Sequence, residues 1–310
     1  MTKYYRLMLG RSSIYAQQCY EGSFIGTDYE IHQDLSGDLP ERWQDFNEQF
    51  RPVWMSNNPG KSKVAAGLAC GALHTVSKGI LPGDIVLCPD GQGLYRVGEV
   101  TGTYSYAPGE LLPHRRPVRW LPQTIRREDM SIAMRHSMGH IGTVSNATKY
   151  AAEIEVLLGG QQPPSLIATD EDVEDPSVFG LEKHLEEFLV ANWASTALGK
   201  DYDIYEVDGE MVGQQFPSDT GPMDILAVSK DKRELLVVEL KKGRASDVVV
   251  GQVQRYMGYA QDELAEVGQT VKGVIIGLED DLRIRCALSV TPNIEFYRYE
   301  VTFKLIKTNV

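Results

Sequence analysis

Asp224, Glu239 and Lys241 are the residues of this chain whose types and spacing suit hydrolytic chemistry. They sit in two apolar runs, Pro222-Met223-Asp224-Ile225-Leu226-Ala227-Val228 and Leu235-Leu236-Val237-Val238-Glu239-Leu240-Lys241-Lys242. Both runs are rich in strand formers and too short for helices. The polar segment Ser229-Lys230-Asp231-Lys232-Arg233-Glu234 between them has the composition of a hairpin loop. With the turn centred between Asp231 and Lys232, Asp224 falls directly opposite Glu239, their Cβ atoms ~5 Å apart on one face. Side-chain alternation puts Lys241 on the face of Glu239 and turns Leu240 away. Two opposed carboxylates repel across a ladder, and a divalent cation removes that repulsion. Hard Mg²⁺ is held by one or two carboxylates together with phosphate and water, so the trio predicts metal-assisted chemistry on a phosphate. The plainer alternative is an exposed Glu239–Lys241 pair beside a strand-edge aspartate.

Elements on either side must position this trio. Upstream, Leu181, Leu185, Phe188 and Leu189 recur at helical spacing, which sets Glu182 beside a buried stripe. Downstream, Ser246 is placed to cap a helix whose apolar residues Val249, Val253, Tyr256, Met257, Ala260 and Leu264 recur with a period of about 3.6 residues. Gln252 and Arg255 are neighbours on it. Val271 to Gly277 reads as an apolar strand, and Ile294 to Ile306 as one or two more. Helix, strands, helix and strands in this order predict an α/β domain around a mixed sheet.

At 310 residues the chain is long enough for two domains, each with its own core. Its 42% hydrophobic and 24% charged residues are those of an ordinary soluble protein. No apolar run is long enough to span a bilayer, and the first residues lack the apolar core of a signal peptide. Cys19, Cys70, Cys88 and Cys286 are scattered without a C-x-x-C pair. A reducing cytoplasm is the expected setting. The net charge of −12 is unevenly spread: basic and acidic residues balance through Ser165, and the whole excess lies beyond it. Arg115, Arg116, Arg119, Arg126, Arg127 and Arg135 form a local basic stretch of the residue best suited to bidentate phosphate contact. The acidic total therefore does not exclude DNA.

The first half opens with a strand at Tyr4 to Leu9, ended by Gly10. Leu39 to Arg51 reads as a short helix or an ordered loop, and Lys63 to Ser77 as a helix, although Gly67 and Gly71 weaken the latter. Gly83 to Cys88, Gly93 to Val100 and Arg116 to Trp120 then read as strands of a small β-barrel, and Ala147 to Leu158 as a closing helix. Residues 159–176, with Gly159-Gly160, Pro163-Pro164 and the acidic run from Asp170 to Asp175, read as a linker.

The strand, helix, G-D-x-V strand and V-G-x-V strand of residues 1–158 resemble the PUA/EVE-like readers of nucleic acid. That resemblance implies an aromatic pocket for a flipped or modified base. Trp43, Trp54, Tyr104, Tyr106 and Trp120 are candidate walls, with core packing the alternative for each. Met138-Gly139-His140-Ile141-Gly142-Thr143 and Ser145 are candidate polar contacts.

Gly221-Pro222-Met223-Asp224-Ile225-Leu226, Val237-Val238-Glu239-Leu240-Lys241-Lys242-Gly243-Arg244-Ala245 and Gly251-Gln252-Val253-Gln254-Arg255-Tyr256-Met257 together resemble the C-terminal nuclease domain of the NucS/EndoMS family, within the PD-(D/E)XK superfamily. The resemblance implies a restriction-endonuclease-like mixed sheet over residues 177–310. It implies Asp224 and Glu239 as ligands of Mg²⁺ (Mn²⁺ substituting), Lys241 as catalytic lysine and Glu182 as an outer or second-metal carboxylate. It also implies Gln252 and Tyr256 as a Q-x-x-x-Y element beside the site. Met223 separates the proline from the aspartate of the superfamily's pair. Lys242, Arg244 and Arg255 join the first-half arginines as candidate DNA contacts.

The expected fold is thus α+β in front, α/β behind. The expected function is cleavage of double-stranded DNA by a homodimer, as a restriction enzyme that reads a modified base. No sliding-clamp motif is evident in Lys304-Leu305-Ile306-Lys307-Thr308-Asn309-Val310. A mismatch or branched-DNA repair endonuclease, and a DNA-binding module with a silent nuclease fold, are the alternatives.

Overall fold

The computed structural model describes residues 2–37, 39–139, 142–159, 185–241 and 245–300. The chain divides into two compact units, Met1–Leu166 and Ile167–Val310.

Seven strands form the sheet of the first unit: β1 (Tyr4–Leu7), β2 (Phe24–Thr27), β3 (Ile85–Pro89), β4 (Leu94–Val100), β5 (Ser105–Tyr106), β6 (His114–Arg126) and β7 (Val144–Asn146). Their order is β2-β6-β4-β3-β1-β7, with β5 also pairing β6. Among the described strand pairs of this sheet only β1 and β3 run parallel. Among the described residues the path runs open from β2 to β7, so the expected barrel takes the form of an open sheet. The long β6 joins two parts of it. His114 to Pro117 pair with β2, and Val118 onward pairs with β4. Glycine is needed where β4 meets that switch, because a Cβ on Gly98 would lie 2.3 Å from Val118 Cγ1.

Alternation along these strands builds two cores. Leu7, Ile25, Val76 and Val86 belong to one, and Tyr4, Leu87, Val97 and Ile125 to the other. Each fully buried aliphatic side chain contributes roughly 1.5–3 kcal/mol. The helices of this unit are α1 (Ala16–Glu21), α2 (Trp43–Asn57), α3 (Lys63–His74), α4 (Ile132–Ser137) and α5 (Ala151–Leu158). The α3 helix forms despite its glycines, helped by Ser62 Oγ, which accepts the Ala65 N–H at 3.2 Å.

In the second unit residues 185–191 are helical (α6). The strands are β8 (Tyr202–Ile204), β9 (Glu206–Val207), β10 (Glu210–Met211), β11 (Gln214–Phe216), β12 (Met223–Ser229), β13 (Glu234–Leu240), β14 (Thr270–Gly277) and β15 (Ile294–Arg298), with helices α7 (Asp247–Tyr259) and α8 (Leu282–Leu288). The main sheet runs β11-β12-β13-β14-β15. The β12–β13 hairpin is antiparallel, and β13–β14 and β14–β15 are parallel. A parallel neighbour needs a crossover, and α7 supplies the one from β13 to β14. It lies close on the sheet at Gly273, where a Cβ would stand 2.6 Å from Val253 Cγ1 and 2.8 Å from Met257 Sδ.

β8 and β11 both pair with β12, one after the other along the same edge. Where they meet, Tyr205 N–H donates to Leu226 O and Leu226 N–H to Gly213 O, at 3.0 and 2.7 Å. A side chain at Gly213 would collide with Leu226 O, 2.1 Å from its Cβ. The β9–β10 ribbon projects between the two short strands.

Two local expectations are revised. Phe188, placed in the buried stripe by its spacing, is 63% exposed. The inward side of α6 instead carries Glu186, with Leu185, Leu189 and Val190 packed on the core. Ser246 occupies the N-cap position of α7 but makes no side-chain capping bond.

Candidate active site

The β12–β13 hairpin sets the site. Ile225 pairs with Val238 and Val228 with Leu235, so the register centres between Asp231 and Lys232 and brings Asp224 level with Glu239. Its four-residue loop is locally determined. Lys232 takes a left-handed φ of 64°, and Ser229 Oγ accepts the N–H groups of Arg233 and Glu234 at 3.1 and 3.0 Å. Apolar side chains cover both faces of the hairpin, so the charges at its open end stand out.

At that end Leu240 N–H donates to Asp224 Oδ2 at 2.7 Å. Lys241 Nζ donates to Glu239 Oε1 at 3.0 Å, with Glu239 buried and the lysine side chain 31% exposed. Lys241 N–H donates to Ile276 O at 2.7 Å, which extends the β13–β14 ladder and holds the lysine backbone.

On the other side of Asp224 lies β11. Gln214 pairs with Ile225 and Phe216 with Met223, leaving Gln215 level with Asp224. Gln215 Nε2 donates to Asp224 Oδ1 at 3.1 Å and to Glu186 Oε2 at 2.7 Å. Gln214 Nε2 donates to Glu186 Oε1 at 2.8 Å. Gln215 adopts a φ of 49°, a backbone state that costs a non-glycine residue about 1–3 kcal/mol and gathers at functional sites.

Burial raises the Glu186 carboxyl to about 7; the Gln214 amide opposes this shift and the charge of Asp224 adds to it. Tyr256 is likewise raised, by burial first; its Gln252 bond acts against this, and the charges of Glu239 and Asp224 reinforce it. The α7 helix therefore presents Tyr256 to the carboxylates. Gln252, one turn earlier, donates to Tyr256 Oη at 3.2 Å. A Cβ on Gly221, which has a φ of 123°, would lie 3.4 Å from the same hydroxyl.

Among the described residues no group of three His, Cys, Asp or Glu side chains is arranged to hold a metal. Asp224 and Glu239 remain a pair of hard oxygen donors on adjacent strands, a donor set that suits Mg²⁺ completed by water and phosphate. Both Glu186 oxygens accept amide donors.

Residues 191–301 match the family described as the endonuclease NucS C-terminal domain. The second unit carries a NucS-type C-terminal domain. Residues 5–148 match a different family, a domain of unknown function (DUF8426). Among solved structures, an EndoMS complex with double-stranded DNA is 13% identical, with a TM-score of 0.33 over 68% of this chain and 62% of that one. A repair endonuclease from Pyrococcus abyssi is 16% identical, with a TM-score of 0.32 over 68% and 66%. The chain spans a little under two thirds of the length of these structures. The comparison with curated proteins gives no match.

Within the NucS-type domain, Asp224, Glu239, Lys241, Gln252 and Tyr256 lie about one end of the hairpin. Glu182, Lys242 and Arg244 are outside the described residues, as are most of the expected linker, His140, Ile141 and the last ten residues. The residues that sequence reasoning missed are Glu186, Gln214 and Gln215. Glu186 lies four residues after Glu182 in the sequence and five before the matched segment, and the sequence carried no signal that singled it out. Arg255 is exposed on α7.

The first-unit arginines do not act alike. Arg116 is only 3% exposed, and its guanidinium donates to Val76 O and Ser77 O at 2.6 and 2.7 Å. Its role as a phosphate contact is corrected: it joins β6 to the turn that follows α3. Arg115 is half-buried over the Phe24 ring and donates to Leu112 O at 3.0 Å. Arg119 is exposed and pairs with Glu99; Arg126 is exposed and pairs with Glu128 at 3.0 Å. Arg127 donates to Tyr95 Oη at 3.3 Å.

The five candidate aromatics are spread through the first unit. Tyr104 and Tyr106 flank the buried His114 ring, and Tyr104 Oη lies 2.8 Å from His114 Nδ1. Trp120, six residues further along β6 and roughly 20 Å away, packs edge-on against Tyr20 at 4.9 Å. Trp43 and Trp54 both lie on α2, the latter buried.

Proposed function

We propose that this protein is a metal-dependent DNA endonuclease whose second unit hydrolyses the phosphodiester and whose first unit selects the DNA. The observation that carries this reading is the hairpin register, which sets Asp224 level with Glu239 and ties Lys241 to the same end. The NucS-type match over residues 191–301 supports it. Asp224 and Glu239 would hold Mg²⁺, or Mn²⁺ in its place. The bound cation supplies charge stabilisation at the scissile phosphate and a water of lowered pKa.

The chain's own groups do the rest. Glu239 fixes the Lys241 ammonium, which offsets charge on the phosphate and orients the attacking water; a general-base role requires the lysine to lose its proton first. Gln215 and Leu240 N–H hold Asp224 from its two sides. Tyr256 closes the site from α7. One site per chain cuts one strand, so cleavage of a duplex calls for a homodimer.

Two biological settings divide the reading. The sequence resemblance of residues 1–158 to PUA/EVE-like readers, if it extends to function, favours a restriction enzyme that reads a modified base. The NucS-type domain favours repair. The deciding experiment is cleavage, with Mg²⁺ or Mn²⁺, of unmodified, cytosine-modified and mismatched duplexes by wild type and Asp224→Ala. Metal-dependent cutting of modified DNA, lost in the variant, supports restriction. Cutting confined to mismatches supports repair. Binding without cutting of any substrate overturns the enzymatic reading and leaves a DNA-binding module.

A further inference from the structure

The first unit contains a cavity of about 520 Å³ whose lining includes Gly93, Leu94, Arg126, Arg127, Glu128 and Arg135. Its architecture is fixed by backbone bonds. Leu94 pairs with Arg126 across β4 and β6, and Arg127 N–H donates to Gly93 O at 2.8 Å. The adjoining loop turns on Asp90, whose Oδ1 accepts the N–H groups of Gln92 and Leu94 at 2.7 and 3.1 Å. Gly91 and Gly93 take φ values of 82° and 94°, which suit glycine. A Cβ built on Gly93 would meet no atom within 4 Å, so the space beside that backbone is open.

Charge in the cavity is unbalanced. Three guanidiniums line it against one carboxylate, and that carboxylate, Glu128, is paired with Arg126. Arg135 donates one bond to Met130 O at 3.0 Å, while its Nε is buried without a hydrogen-bond partner among the described residues. Arg127 feels a further positive charge from the buried Arg6, whose guanidinium donates to Gly142 O. An anion with several acceptor oxygens relieves this repulsion; phosphate has that form.

The geometry points to a phosphate seat in this cavity, formed by Arg126, Arg127 and Arg135, that takes the phosphate of a nucleotide, either free or at the end of a DNA strand. The volume lies in the range of small-ligand sites, and a concave seat suits one phosphate-bearing unit better than the side of a duplex. This inference stands independently of the nuclease reading, because the cavity belongs to the first unit and its test measures binding in the absence of metal.

The test is calorimetric titration of the full chain, in EDTA, with inorganic phosphate, deoxynucleoside 5′-monophosphates, the matching nucleosides, and short duplexes with 5′-phosphate or 5′-hydroxyl ends. The expected result is that phosphorylated ligands bind about tenfold to a hundredfold more tightly than their unphosphorylated partners. Arg135→Gln and Arg126→Gln should each remove about tenfold or more of that preference. Binding of mononucleotides assigns the seat to a free nucleotide; binding confined to 5′-phosphorylated duplexes assigns it to a strand end. Equal binding with and without phosphate, no binding of any ligand, or an unchanged preference in both variants overturns the proposal. Arg126→Gln keeps the test valid if Arg135→Gln unfolds, since the Arg126 side chain is 68% exposed.

Discussion

Gln215 Nε2 stands 2.7 Å from Glu186 Oε2 and 3.1 Å from Asp224 Oδ1, so one amide joins the helix carboxylate to the hairpin carboxylate. Glu186 thereby belongs to the site electrostatically even though its oxygens face glutamines.

The charge of Asp224 is separable from its shape. Asp224→Asn retains an oxygen for the Leu240 N–H and keeps the hairpin. Metal-dependent cleavage should fall by at least about a hundredfold, while circular dichroism and the melting temperature stay near wild type. Wild-type turnover by the variant would remove Asp224 from the chemistry.

Stability should depend on pH through Glu186. Its folded pKa of about 7 lies above the ordinary 4.5. The folded state therefore holds the proton more tightly, and stability is full below about pH 4.5, then declines towards pH 7. The loss is of order 3 kcal/mol, at about 1.4 kcal/mol per unit. Denaturant unfolding in EDTA from pH 4.5 to 7.5 should show that decline in wild type and lose most of it in Glu186→Gln. An identical slope in both proteins would assign the decline to other groups.

Gln215 allows its backbone to be tested apart from its side chain. Gln215→Gly and Gln215→Ala both remove the bridge, but only glycine adopts a φ of 49° without strain. The glycine variant should be more stable than the alanine variant by about 1 kcal/mol. Both should lose activity alike. Equal melting temperatures for the two would contradict the left-handed assignment.

Arg116 and Arg126 make opposite predictions. Arg116→Gln withdraws a buried guanidinium from two carbonyls and should destabilise the protein by about 3 kcal/mol. Its folded fraction should keep the wild-type salt dependence of DNA binding. Arg126→Gln should leave the melting temperature unchanged and reduce the slope of log affinity against log salt by about 1. Reversed behaviour would restore Arg116 as a DNA contact.

The hairpin was legible because period-two runs flank a short polar loop, and the loop centre determines which residues oppose each other. Asp224, Glu239 and Lys241 follow from that local rule. The crossover helix was legible too, since Val249, Val253, Tyr256 and Met257 all point inward on α7. Glu186 was not legible. Apolar spacing favoured Phe188 as an inward residue, whereas the Gln214 and Gln215 amides satisfy a carboxylate on that side, and such pairing depends on a strand 28 residues away. Arg116 was misread for a related reason: nothing in a run of arginines shows which one meets the carbonyls of the turn after α3.

The two short strands that share one edge of β12 make the β9–β10 ribbon a tab on the sheet. The chain leaves the sheet after Ile204 and returns at Gly213, and the Asp208-Gly209 tip already turns with φ values of 55° and 76°. Lengthening that tip changes no pairing in the main sheet and costs only about 0.6 kcal/mol per doubling of the loop. The tip is a splice point where a peptide tag or reporter can be carried while Gln214, Gln215 and Asp224 keep their alignment.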